Sequence, residues 1–453
     1  MLYANIHNSR KKSSIFAYME NDRIIALIKR EVVPAVGCTE PAAVALCTAY
    51  ATEALGCRPE RIEVLLSGNM LKNAMGVGIP GTGMTGLPVA VALGALIGKS
   101  GYQLEVLKDV CPEAVAEARA FMGGGRISIG LTEDSDETLY IEVRCRAGER
   151  CSRAVIARDH TRLVYLEGPC SPTLDHRAEL GGREEEAAEN DLTLRRVYEF
   201  ATTAPLEDLE FINESRRLNE AAAEEALRGN YGHELGKTLS RPLGKGIMGD
   251  SIFSHIISAT SCACDARMAG AKIPVMSNSG SGNQGIAATL PVVVFARENH
   301  NTEEELTRAL ILSHLTAIYI KQSLGKLSCL CGCVVASTGS SCGMTWLMGG
   351  GYEQVAYSVK NMIANLAGMV CDGAKPSCAL KVSSGVSTAV LSAMLAVQNH
   401  SVGSCEGLIE DDVDRCIHNL TRLGSVGMQE TDKMVLDIMT HKKPAAAESS
   451  AAK

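Results

Sequence analysis

Ser277-Asn278-Ser279-Gly280-Ser281-Gly282-Asn283-Gln284-Gly285 runs directly into the mostly apolar segment Ile286 to Ala296. A polar, glycine-rich loop that opens an apolar run of that length reads as the start of a buried helix. The reading extends to the whole of residues 236–440, which are glycine-rich, apolar and helical in pattern. Residues 19–170 differ. They mix apolar helices with strand-like runs, Arg61 to Leu66 and Thr138 to Val143, and a candidate hairpin from Ala154 to Ala157 and Leu163 to Leu166 through Asp159 and His160. The expected fold is therefore α+β, with a predominantly helical region and a smaller mixed α/β portion. Residues 171–235 are charged, with surface helices expected at Arg183 to Glu186 and Ala221 to Leu227. Residues 1–18 read as a loose lead-in, with a helix following at Asn21 to Lys29. Residues 441–453 read as a disordered, alanine-rich tail.

Three blocks carry chemistry. In the loop already quoted, Asn278, Ser281 and Asn283 offer neutral donors and acceptors suited to an amino acid. The same composition also makes a turn and helix cap. In Val36-Gly37-Cys38-Thr39-Glu40-Pro41, Thr39 is expected to cap a helix with Pro41 in its first turn. Cys38 would then sit at a helix start, where the dipole favours a thiolate. The competing reading is a small buried side chain. In Ser67-Gly68-Asn69-Met70-Leu71-Lys72-Asn73, leading to Gly76-Val77-Gly78-Ile79-Pro80-Gly81-Thr82-Gly83, Ser67, Asn69 and Lys72 could hold a carboxylate. Tight packing through glycine fits that block equally.

The chain has seventeen cysteines, seven of them from Cys329 to Cys405. The basic run Arg10, Lys11 and Lys12 is not followed by an apolar core of signal-peptide length. The longest apolar stretch, Met84 to Gly98, is too short to span a bilayer. A soluble, cytoplasmic protein is expected, where thiols stay reduced and clustered cysteines point to metal or catalysis. Cys329-Leu330-Cys331-Gly332-Cys333 and Cys371-Asp372-Gly373-Ala374-Lys375-Pro376-Ser377-Cys378 match neither zinc-ribbon nor ferredoxin spacing. Cys47, Cys57, Cys111, Cys145, Cys151, Cys170, Cys262, Cys264 and Cys416 read as packing residues, and His233 and His255 as isolated structural ones. A net charge of −8 argues against a nucleic-acid surface and for a small-molecule partner.

Taken together, the Gly37–Pro41, Ser67–Gly83 and Ser277–Gly285 blocks, Cys331-Gly332-Cys333, and Cys371 spaced seven before Cys378 resemble the L-cysteine desulfidase family. That family is similar to the iron–sulfur L-serine dehydratases. The resemblance runs from about Met19 to Met439. It implies a [4Fe–4S] cluster, no pyridoxal phosphate, and conversion of L-cysteine to pyruvate, ammonia and sulfide. It also implies Cys331, Cys371 and Cys378 as cluster ligands, with Cys329 and Cys333 as neighbours that could replace Cys331. Cys38 is implied as the catalytic cysteine. Glu40, Ser67, Asn69, Lys72, Asn278, Ser281 and Asn283 are the expected substrate contacts, in a homo-oligomer with no nucleic-acid or membrane partner. The rival readings are an L-serine dehydratase using the same cluster and a non-catalytic, metal-binding redox sensor.

Overall fold

The computed structural model describes residues 21–133, 135, 137–180, 192–325 and 328–442. The lead-in 1–18, the Arg183 to Glu186 run and the tail beyond residue 442 lie outside the described residues. The fold is α+β, as expected: a six-stranded mixed sheet accompanies a larger body of helices.

The strands lie in the spatial order Ile127–Leu131, Arg61–Leu66, Tyr140–Ala147, Arg150–Ala157, Leu163–Glu167, Pro172–Asp175. The first pair is parallel and the others antiparallel. Arg61–Leu66 alternates, with Ile62, Val64 and Leu66 buried and Arg61 and Glu63 exposed. Helices Thr39–Leu55 and Leu87–Leu96 share the apolar core of this sheet. The edge strand Pro172–Asp175 belongs to the sheet, not to the charged connection that begins at residue 171 by composition.

In the helical body, Gly332–Leu347 is central, packed by Gly282–Glu298, Glu303–Leu324, Tyr352–Leu366 and Cys378–Val397. It can be central because its buried face is small: Ser337, Thr338, Gly339, Ser340 and Ser341 are all buried. The hydroxyls of Thr338, Ser340 and Ser341 are satisfied within the helix or across one contact, as when Ser341 Oγ donates to the Ala389 carbonyl at 3.0 Å, while Ser337 Oγ has no partner among the described residues. A Cβ at Gly339 would stand 2.2 Å from the Ser313 carbonyl oxygen of the neighbouring helix. Gly339→Ala should therefore separate two backbones and lower stability by roughly 1–3 kcal/mol. Urea unfolding measures this, and an unchanged midpoint would contradict the packing.

The helix over 21–31 joins this body through Ile24, Leu27 and Ile28. Helix Asn213–Arg228 buries Ala222, Ala223 and Ala226 and is thus half core rather than a surface helix. Among the described residues, Cys378–Val397, not Met84 to Gly98, is the helix long and apolar enough to cross a membrane, and half of that span is packed inside the protein.

Candidate active site

Two short antiparallel ladders assemble the site. Pro34–Val36 pairs with Pro274–Met276, which sets Gly37 and Cys38 beside the Ser277–Gly285 loop. Thr39 Oγ1 donates to the Gly280 carbonyl at 3.3 Å, so Thr39 ties the two blocks together instead of capping its helix. The cap position belongs to Cys38. The second ladder joins Leu330 to Val370. Cys331 N donates to the Met369 carbonyl at 2.9 Å and Cys371 N to the Cys329 carbonyl at 2.6 Å. That register brings Cys331 and Cys371 into side-chain contact.

Helix starts converge here. Cys38 precedes Thr39–Leu55, Ser281 precedes Gly282–Glu298, Cys331 precedes Gly332–Leu347, and Cys378 opens its own helix. Cys38, Ser281, Cys331, Cys371 and Cys378 all line one pocket. Helix N-termini aimed at one space favour negative charge in it. Arg267, Lys321 and Lys381 add full positive charges to the lining, and Glu40 one negative charge.

The donor set suits a soft-metal or iron–sulfur group. Cys331 Sγ lies 3.3 Å from Cys333 Sγ, which in turn lies 3.2 Å from Met369 Sδ. Cys333 also lines the pocket, whereas Cys329 is absent from the lining and hydrogen-bonds Asp432. Among the described residues no three His, Cys, Asp or Glu side chains gather tightly enough to share a single ion. Cluster ligands bind different irons, so they need not meet that condition. Contact with Cys331 raises the Cys371 thiol, contact with Cys333 raises Cys331, and burial raises Cys378. Loading a metal must therefore displace protons from all three.

The thiolate expected at Cys38 is corrected by the structure. Burial pushes the Cys38 thiol up to about 12, and the neighbouring Arg267 offsets this only in part. A helix start is a local advantage, but complete desolvation is larger.

The other expected contacts divide. Glu40, Ser281 and Asn283 line the pocket. Asn283 Oδ1 accepts from Arg267 Nη1 at 3.1 Å. Ser67 Oγ donates to the Thr138 carbonyl at 2.8 Å and accepts from Tyr140 N, joining its helix to the sheet. Asn69 keeps a buried Oδ1 that has no hydrogen-bond partner and is not part of the lining. Lys72 is buried in an ion pair with Asp432, behind the Cys371 loop and outside the pocket lining. Gly373 makes that contact possible: its φ is +87° and a Cβ would stand 2.1 Å from the Lys72 carbonyl oxygen.

Asn278 is fully buried, with Nδ2 donating to His314 Nδ1 and to the His314 carbonyl, both at 3.1 Å. His314 Nε2 then meets Thr289 Oγ1 at 3.0 Å, and Thr289 donates to the Gly285 carbonyl. The network pins the loop to its helix and fixes His314 as the neutral Nε2–H tautomer. Burial pushes His314 down to about 3 from its usual 6.5. Between those values the unfolded chain binds a proton that the folded protein refuses, so stability must fall as pH drops through that window. His314→Gln should be less stable at neutral pH yet show a shallower acid loss, read from unfolding midpoints at several pH values. An equal acid slope in both proteins would place the titration elsewhere.

Sequence reading missed Arg267 and Lys321. Arg267 Nη2 donates to the Gly37 carbonyl at 3.1 Å, so it clamps the Cys38 block to Asn283. Burial lowers Lys321 to about 8. The available signal was a charge closing a largely apolar stretch, Asp265-Ala266-Arg267 after Ser261 to Cys264 and Lys321 after Ala317 to Ile320. His255 is also not isolated: it bridges Glu298 at 2.8 Å and Asp250 at 2.6 Å. Cys111, Cys151 and Cys170 are exposed rather than packed.

A mixed sheet beside a helical body thus carries a cysteine-lined pocket at converging helix starts. The model of the serine dehydratase alpha chain matches residues 101–437, and the chain belongs to this family. It is 67% identical to a UPF0597 protein of Bacteroides thetaiotaomicron, over 93% of this chain and 98% of that one. It is 65% identical to a UPF0597 protein of Phocaeicola vulgatus, over 95% and 100%.

Proposed function

We propose that the protein is an iron–sulfur-dependent L-cysteine desulfidase, converting L-cysteine to pyruvate, ammonia and sulfide by α,β-elimination in the cytoplasm. The observation that carries this reading is the presence of Cys38 with Cys331, Cys371 and Cys378 in a single cation-edged pocket. Cys331, Cys371 and Cys378 would hold the cluster. When bound, it supplies Lewis-acid chemistry at an iron without a protein ligand.

The chain's own residues account for the rest. Cys38 Sγ, a thiol in the resting site, must first release its proton to water; as the thiolate, which the hydrogen-bonded Arg267 favours, it then accepts the proton of the substrate α-carbon. As the α-proton moves to Cys38, the carbon–sulfur bond breaks and its electron pair leaves as hydrosulfide. The remaining aminoacrylate tautomerises to an imine, and water hydrolyses that to pyruvate and ammonia. Asn283 and Ser281 supply polar contacts for the substrate at the lining.

A second reading, L-serine dehydratase, is favoured by the description of the matching family. It uses the same groups with water as the leaving product. Anaerobic assays of pyruvate from L-cysteine and L-serine, compared as kcat/KM, decide between them. Cysteine is expected to win. Higher kcat/KM with serine selects the second reading, and no pyruvate from either substrate rejects both.

A further inference from the structure

The pocket holds an unmatched donor and an unmatched acceptor. Lys321 closes the long helix Glu303–Leu324, is 8% exposed and lines the pocket. Among the described residues its ammonium has no hydrogen bond or ion pair. Every neighbouring cation is committed: Lys381 to Asp372 and the Val370 carbonyl, Lys72 to Asp432, and Arg267 to Gly37 and Asn283. Gln284 lines the same pocket, is 3% exposed, and has a buried Oε1 without a partner. Leaving a buried ammonium and a buried amide oxygen unsatisfied is costly, so each should have a partner when the site is in use.

We propose that Lys321 and Gln284 recognise a zwitterionic α-amino acid, Lys321 taking the α-carboxylate and Gln284 Oε1 the α-ammonium group. This deepens the proposed function and rests on it. A dicarboxylic or purely cationic ligand would leave one of the two groups unmatched. Lys381 and Lys321 both stand within electrostatic reach of the thiols of Cys331 and Cys371, but Lys381 is held by Asp372 and the Val370 carbonyl, whereas Lys321 has no hydrogen-bonded partner among the described residues and can turn to the substrate. Glu40 in the same lining adds negative charge that suits the ammonium end.

The test uses anaerobically prepared, iron-containing protein and two unreactive probes, L-alanine and L-alanine methyl ester. Binding is measured by calorimetry, and iron content is measured in each variant. Wild type should bind L-alanine and strongly disfavour the ester, which lacks the carboxylate. Lys321→Met should weaken L-alanine roughly 10- to 100-fold, leave the ester unchanged, and so erase the discrimination. Lys321→Arg, which keeps the charge, should retain much of it. Gln284→Leu should weaken both probes together. Equal loss of L-alanine and ester in Lys321→Met, or no loss of either, would overturn the carboxylate role. If Lys321→Met sheds iron, Lys321→Arg decides: retained iron without discrimination overturns the role, and retained discrimination supports it. If wild type binds neither probe, the amino-acid reading itself fails and this assignment falls with it.

Discussion

Cys371→Ala should strip the protein of iron and reduce pyruvate formation to the background. Cys371 is held where the strand-like segment after Met369 pairs with the one before Gly332, and its side chain touches Cys331. Cys378 cannot move into its place, because it is fixed at the first turn of its own helix. Cys378→Ala should behave in the same way. A ligand of a metal group contributes folding as well as binding free energy, so both variants should also unfold more easily than loaded wild type. The informative controls are the neighbours of Cys331. Cys329→Ala should keep its iron, since Cys329 faces Asp432 rather than the pocket. Cys333 lines the pocket beside Cys331, so Cys331→Ala and Cys333→Ala compared directly decide which of them is the ligand. Full iron and full turnover in Cys371→Ala would sink the ligand assignment.

What could be read from the chain alone follows from the range of the interactions involved. Arg61 to Leu66 was legible as a strand because alternate burial writes itself into consecutive residues. The helix after Ser281 was legible because a polar loop followed by an apolar run is a local pattern, and Ser281 does accept from Gln284 N at its start. The ladders of Pro34–Val36 with Pro274–Met276, and of Leu330 with Val370, were not legible. Each is too short to carry a periodicity, and each joins segments far apart in sequence. The same limit explains the lysines. Lys72 lies in a block with polar residues and glycines and looks like a ligand contact, whereas Lys321 only follows the apolar stretch Ala317 to Ile320. Tertiary packing reverses their surroundings: Lys72 meets Asp432 and Lys321 meets the pocket. The protonation of Cys38 was misjudged for a related reason. The helix dipole is a property of the local chain, while desolvation depends on everything packed around it.

Cys38→Ala should keep its iron and lose turnover by roughly 10²–10⁴-fold, the usual contribution of a proton-transfer group. Cys38 is set at its helix start by the Gly37 turn and by Arg267, on the opposite sequence half from the other thiols. It shares their pocket but makes no sulfur–sulfur hydrogen bond of the kind that links Cys331 to Cys333. Removing its sulfur should therefore leave the cluster-holding residues undisturbed. The mutation should also be tolerated structurally, since alanine fits a buried position and the vacated volume is small. KM for L-cysteine should change little, because Cys38 is assigned to proton movement and not to holding the substrate. Arg267→Met offers an independent check on the same step. It removes the cation hydrogen-bonded to the sulfur and should lower kcat while leaving iron in place. Iron analysis and anaerobic kinetics on both variants give the answer. Loss of iron in Cys38→Ala would make Cys38 a ligand. Undiminished turnover would transfer the proton-accepting role to another group in the lining, with Glu40 the first to examine.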